Sequence, residues 1–163
     1  MSVITSKISI EKLPKRTLAY IQNIGPYQGD TELFGRLFTT VMKWAQPKGL
    51  MHDPSSEAIT VYHDDAETVP EDQQRISVGF TVPESTTPEG EIQMLEIPEG
   101  NYVVGSFEIL PSQYGDAWSQ VFDYIRNEKI IPSAKMMYES YKNEPDTHPE
   151  GKHIVDICVM IEK

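Results

Sequence analysis

Glu139 is the residue whose type and setting could do the most chemistry. It lies in residues 136–141 (Met-Met-Tyr-Glu-Ser-Tyr), a run dense in β-formers, and strand alternation puts Met137, Glu139 and Tyr141 on one face. A carboxylate in apolar, aromatic company that lines a cleft is partly desolvated and draws cations. The competing reading is an ordinary Glu on a wetted sheet face. Tyr114 and Trp118 stand four apart and share a helix face if that segment is helical. An aromatic stripe is first of all a core stripe, yet beside an open cleft Trp118 would stack on a flat ligand and attract cations through its ring. Tyr27, in the Gly25-Pro26-Tyr27 turn, is the symmetric candidate, with a structural turn aromatic as its equal competitor.

Other reactive types are weaker signals. His63, Asp64 and Asp65 are adjacent, and three consecutive residues at a strand end cannot all reach one ion, so an acidic turn is expected rather than a hard-metal site. Asp146, His148 and His153 flank the Pro149-Glu150-Gly151 turn without the i, i+4 spacing of a helical zinc site, and read as a hairpin loop. Cys158 is the sole cysteine. It forms no intrachain disulfide, implies a reducing compartment, and reads as a small buried hydrophobe. No Gly-rich phosphate loop, serine elbow or dinucleotide fingerprint occurs, so neither metal nor cofactor is expected.

The elements that must position these residues follow from periodicity. Strand patterns occur at residues 3–10, 17–24, 58–62, 75–80, 92–97, 102–109, 136–141 and 154–161, bounded by Pro, Gly or charged turns. Residues 30–45 carry a helical stripe of Leu33, Phe34, Leu37, Phe38, Val41, Met42 and Ala45, with Asp30 or Thr31 as cap. Residues 113–127 carry Tyr114, Ala117, Trp118, Val121, Phe122 and Ile125, with Ser112 as the expected N-cap.

The spacing also shows a repeat. Pro14 and Pro98, Phe34 and Trp118, Phe38 and Phe122, and Val41 and Ile125 all stand 84 residues apart. After the helices, residues 61–63 align with 137–139 at an offset of 76, which suits a longer helix-to-strand loop in the first half. Two copies of strand–strand–helix–strand–strand are expected, about 1–82 and 91–163, joined by the turn-rich stretch 82–90. That arrangement is an α+β fold of mostly antiparallel sheet, a single domain with one helix per half and a groove where the halves meet.

The chain has 163 residues, 39% hydrophobic and 24% charged, with a formal net charge of −11. One ordinary domain fits that length. The negative field repels phosphate backbones, so direct nucleic-acid binding is not expected. No apolar run reaches signal-peptide or membrane-spanning length, and a cytoplasmic protein without membrane contact is expected.

Five segments together resemble the GyrI-like family: 18–27 (Leu-Ala-Tyr-Ile-Gln-Asn-Ile-Gly-Pro-Tyr), 61–70 (Val-Tyr-His-Asp-Asp-Ala-Glu-Thr-Val-Pro), 97–102 (Ile-Pro-Glu-Gly-Asn-Tyr), 138–141 (Tyr-Glu-Ser-Tyr) and 156–161. That family includes gyrase-inhibitory proteins and effector-binding domains of AraC-type and multidrug-responsive transcription regulators. The resemblance implies two pseudo-symmetric ββαββ halves that bind small, often aromatic or cationic molecules in a cleft between them. It places Glu139 in an aromatic-lined pocket. Regulators of this type carry a helix-turn-helix ahead of the effector domain, whereas strand pattern here begins at Val3, and Met160 stands where the last strand often has Pro.

The expected function is a stand-alone binding module for an aromatic, cationic or amphipathic ligand, with Glu139 supplying charge and Trp118, Tyr27 and Tyr141 as stacking walls. Two alternatives follow from the resemblance. One is hydrolysis of strained, cyclopropane-bearing natural products, with Glu139 as general base. The other is a protein-partner role toward gyrase or a transcription regulator.

Overall fold

A computed structural model describes residues 5–27, 30–50, 56–64, 68–143 and 148–162. Asp65 and Asp146 lie outside the described residues. The elements in chain order are β1 (Thr5–Leu13), β2 (Arg16–Ile24), α1 (Thr31–Ala45), β3 (Ala58–Tyr62), β4 (Arg75–Val82), β5 (Gln93–Ile97), β6 (Gly100–Ile109), α2 (Tyr114–Asn127), β7 (Pro132–Tyr141) and β8 (His153–Ile161). This is an α+β fold of antiparallel sheet with two helices, and the element order is ββαββ twice over.

The chain forms two compact units, residues 15–98 and residues up to Pro14 together with 99 onward. In the first, the strands lie in the order β5-β2-β4-β3; in the second, β1-β6-β8-β7. Both orders are the first, second, fourth and third strands of a repeat, but the first strands are exchanged. Leu13 pairs with Gly100 and Arg16 with Ile97, so β1 serves the unit built by the second repeat and β5 the unit built by the first. The chain passes between units at Pro14 and Pro98, the two prolines of the 84-residue spacing.

Each unit buries one helix stripe on one sheet face. In the first, Leu33, Leu37 and Val41 of α1 pack on Ala19, Ile21, Ile76 and Val78. In the second, Ala117, Val121 and Ile125 of α2 pack on Val103, Phe107, Ile109, Val155, Ile157 and Val159. These helix positions are 84 apart one for one, which is the 3.6-residue apolar period written twice.

The helix ends differ from each other. Asp30 caps α1 as expected, its Oδ1 accepting from the Leu33 N–H at 3.0 Å. Ser112 does not cap α2. A 3₁₀ turn, Pro111–Gln113, precedes that helix, and the Gln113 side-chain oxygen folds back to accept from the Leu110 N–H at 2.7 Å. That bond closes the 3₁₀ turn, and no side chain caps α2 itself.

β7 begins four residues earlier than its pattern predicts, because its register shifts between Pro132 and Met137. An irregularity there carries the strand through the poor β-formers Ser133 and Lys135.

Candidate functional site

The face of β7 that meets α2 carries Met137, Glu139 and Tyr141, opposite Val159, Ile157 and Val155 of β8. Glu139 therefore points into the helix-covered core of its unit and is only 3% exposed. Its two oxygens are engaged by different donors. The Trp118 indole N–H donates to Oε2 at 2.6 Å, and the Tyr141 hydroxyl donates to Oε1 at 2.6 Å. Short contacts of this kind are typical of an ionised acceptor. Three of the four expected site residues thus form one cluster. Trp118 is half-buried and stacks on Phe122, with ring centroids 6.0 Å apart and planes 25° apart.

A second polar pair lies one helical turn toward the start of α2. The Tyr114 hydroxyl and His153 Nδ1 share a hydrogen bond of 2.5 Å, with the two rings edge to face at 5.4 Å. Burial pushes the Tyr114 phenol far above the ordinary tyrosine value, and the negative charge of Glu139 pushes it further. The same Glu139 charge that faces Trp118 is therefore felt at Tyr114. Burial also lowers the His153 imidazole below 6.5, which favours its neutral form. His153 was expected in a loop; it is the first residue of β8. The signal lay in the alternation of 153, 155, 157, 159 and 161, which extends one residue beyond the apolar run.

Tyr27 lies in the other unit. It is 9% exposed, edge to face with Phe34 at 6.3 Å and tilted against Tyr62 at 5.7 Å. The remaining candidates sit in structural contacts. His63 Nε2 shares a 2.7 Å hydrogen bond with Ser77 Oγ. Asp64 pairs bidentately with Arg75, and that hydrogen-bonded guanidinium holds its carboxyl below the usual range. His148 bonds Glu108, and its Nδ1 accepts from the Glu150 N–H. Cys158 is buried. Among the described residues, no three His, Cys, Asp or Glu side chains are grouped to hold a metal ion, and no helix is long and apolar enough to cross a membrane.

The two units are not chemically equivalent. Matching the ladders, Phe80, Val78 and Ile76 of β4 correspond to Val159, Ile157 and Val155 of β8, and their β3 partners Ala58, Thr60 and Tyr62 to Met137, Glu139 and Tyr141. The offset is 79, not 76. The even offset would set Tyr62, on the helix face, against Tyr138, which pairs with Cys158 on the opposite face. In the first unit, Thr60 replaces the acid and Phe34 replaces the indole donor, so the carboxylate and its tryptophan occur in one unit only.

The ββαββ order written twice, with one helix packed on the sheet of each unit, defines a class of duplicated α+β domain. The profile of the GyrI-like small molecule binding domain matches residues 6–162, and the chain belongs to the GyrI-like family. It is similar to YosT of Bacillus subtilis (strain 168), an SPbeta prophage-derived protein named as a candidate transcriptional regulator, at 26% identity over 96% of this chain and 99% of that one. It is also similar to a DNA gyrase inhibitor of Citrobacter rodentium (strain ICC168), at 25% identity over 94% and 95%. Among solved structures, the EcmrR chain of an EcmrR–DNA complex superposes with a TM-score of 0.80 at 16% identity, covering 97% of this chain. This chain spans 58% of that EcmrR chain. SAV2435 bound to tetraphenylphosphonium superposes with a TM-score of 0.62 at 12% identity, covering 96% of this chain and 94% of that one.

Proposed function

We propose that the protein captures a lipophilic aromatic cation against Glu139 in the unit that contains α2, with Trp118 and Tyr141 as its aromatic walls. The observation that carries this reading is the buried carboxylate held by an indole and a phenol. The indole and the phenol are both neutral donors. Burying a carboxylate costs several kcal/mol even after relaxation, and an apolar residue of similar size would fill the same position at less cost. A cation on the indole face would gain both the carboxylate charge and the ring quadrupole.

Because Glu139 is covered, the ligand reaches it by displacing the Trp118 or Tyr141 side chain. Both are only half-buried, which suits them to that movement. The ligand reported for SAV2435, tetraphenylphosphonium, is a probe of the right chemistry. The test is thermal unfolding with tetraphenylphosphonium and with the neutral triphenylphosphine oxide. A ligand that binds only the folded state raises the melting temperature. The cation should stabilise the parent protein more than the neutral compound, and Glu139→Gln should remove that difference. Equal stabilisation of the two proteins by the cation would overturn the reading.

The similarity to the Citrobacter gyrase inhibitor favours a second reading, in which the protein acts on gyrase. Its test is gyrase supercoiling at rising protein concentration; undiminished supercoiling at a large molar excess would dismiss it.

A further inference from the structure

We infer that the outer edge of β1 is a docking surface for a second copy of this chain, the two β1 strands pairing antiparallel about a two-fold axis at Ser9. β1 ends the strand order of its unit, and among the described residues its backbone pairs with β6 alone. That pairing runs from Thr5 to Leu13 without a shift in register, and no proline falls within the strand. A long regular edge of this kind is a template for a further strand, and proteins that must avoid such pairing shorten, bulge or cover it. β5, which edges the other unit, is only five residues long.

The side chains along this edge are self-complementary. Directly opposed residues of an antiparallel pair share one hydrogen-bonding type, and the type alternates along the strand, so a strand paired with its own copy is centred on a residue. A centre at Ser9 sets Lys7 against Glu11 of the second copy and Glu11 against its Lys7, two opposite-charge pairs on one face. A centre one residue away sets Lys7 or Glu11 against Ser9, and a centre two residues away sets Lys7 against Lys7 or Glu11 against Glu11. Lys7 is exposed and in no ion pair among the described residues. Glu11 is exposed as well, and its Oε2 accepts from the Ser9 hydroxyl at 3.0 Å.

The other face of the strand supplies the apolar part. The Ser6 hydroxyl bonds Gln120 of α2, and Ile8 packs on the core beneath that helix, so residues 6, 8 and 10 look toward α2. Ile10 stands opposite Val103, a member of that core, yet it is 48% exposed, because among the described residues no further strand flanks β1. The centre at Ser9 sets Ile10 against Ile8 of the second copy and Ile8 against its Ile10, which covers the exposed isoleucines with apolar neighbours. Charge pairing and apolar pairing thus select the same register. Each copy carries a net charge of −11, but β1 holds two lysines against one glutamate, so repulsion between copies arises elsewhere and is screened by salt. One strand edge makes a small contact, and the dimer is therefore a concentration-dependent one.

The test is sedimentation equilibrium of the full chain from micromolar to near-millimolar concentration at physiological salt. The parent should move from the 18.5 kDa monomer toward twice that mass. Lys7→Glu and Glu11→Lys each set like charges opposite one another and should weaken the dimer about tenfold. Both positions are exposed, so both variants should melt like the parent. An equimolar mixture of the two single variants should recover the dimer, because every pair across the mixed dimer is again of opposite sign. The Lys7→Glu, Glu11→Lys double variant should recover it too, at the parent's net charge, which separates strand pairing from whole-molecule repulsion. Register is read by cross-linking, with Cys158 buried. Ser9→Cys should form a disulfide-linked dimer under mild oxidation, whereas Lys7→Cys, which meets Glu11 of the second copy, should not. A parent that stays monomeric at the highest concentration overturns the inference, and so does a dimer that neither single variant weakens.

Discussion

Of the donors that hold Glu139, the Trp118 indole can only donate, whereas the Tyr141 hydroxyl can also accept. Glutamine can satisfy both, with its oxygen toward the Trp118 indole and its amide toward the Tyr141 hydroxyl oxygen. Glu139→Gln should therefore fold, with a melting temperature equal to or above that of the parent, because a buried charge is removed, the indole keeps its acceptor and the half-buried Tyr141 hydroxyl can turn its proton to water. Trp118→Phe is the opposite case, since it takes a donor from a buried carboxylate. It should destabilise by about 2 kcal/mol, and by clearly less in the Glu139→Gln background, a coupling that denaturant unfolding of the four proteins measures. Acid sensitivity also belongs to single residues. His63 and His153 are both lowered by burial, His63 further by Arg75. Below 6.5 the unfolded chain takes protons that the folded chain refuses, so stability falls as pH drops through that value toward the folded-state values. Asp64 has the opposite sign, a lowered carboxylate whose contribution is complete above 3.8, and it adds no slope from pH 7.5 to 5.0. Melting temperatures over that range should fall in the parent and flatten in the His63→Asn, His153→Asn double variant.

The seating of α2 on its sheet depends on Gly105. A β-carbon there would stand 2.8 Å from Val121 of α2 and 2.6 Å from the Phe107 ring. Gly105→Ala should push the helix off β6 and cost about 1–3 kcal/mol, read as a lower denaturant midpoint; an unchanged midpoint would mean that α2 yields freely. Both helices were legible in the sequence because their apolar stripes are long and regular, and the eight strands because each run is bounded by turn residues. The 3₁₀ turn that displaces the expected Ser112 cap was not legible, since it is closed by the Gln113 side chain and leaves no periodic trace. The 76-residue offset failed for a related reason. It matched tyrosines by type, whereas strand parity, set by pairing with β4 and β8, puts Tyr62 and Tyr138 on opposite faces. The same parity made Met137, Glu139 and Tyr141 legible as one face. It could not reveal that Tyr114 meets His153, because that contact joins a helix to a strand 39 residues away.

Across the whole chain, the sequence repeat and the compact unit are different objects. The repeat ends before β5, but β5 pairs with β2, and β1 pairs with β6. Long-range pairing of this kind leaves no local pattern, so the exchange of first strands could not be read beforehand. It predicts how the chain tolerates cutting. A fragment of residues 15–98 keeps β5 on β2 and should melt cooperatively, whereas residues 1–86 lose that strand and should be markedly less ordered by circular dichroism. Equal order in both fragments would contradict the assignment of β5 to this unit. The asymmetry of the two units bears most directly on function, since Thr60 and Phe34 stand where the other unit has Glu139 and Trp118. The decisive measurement is the dissociation constant of tetraphenylphosphonium for the parent and for Glu139→Gln, by calorimetry at pH 7.5. A tenfold or greater weakening in a variant that melts like the parent is the predicted result. Equal constants in two folded proteins would contradict the role of Glu139 as the cation-recognising group.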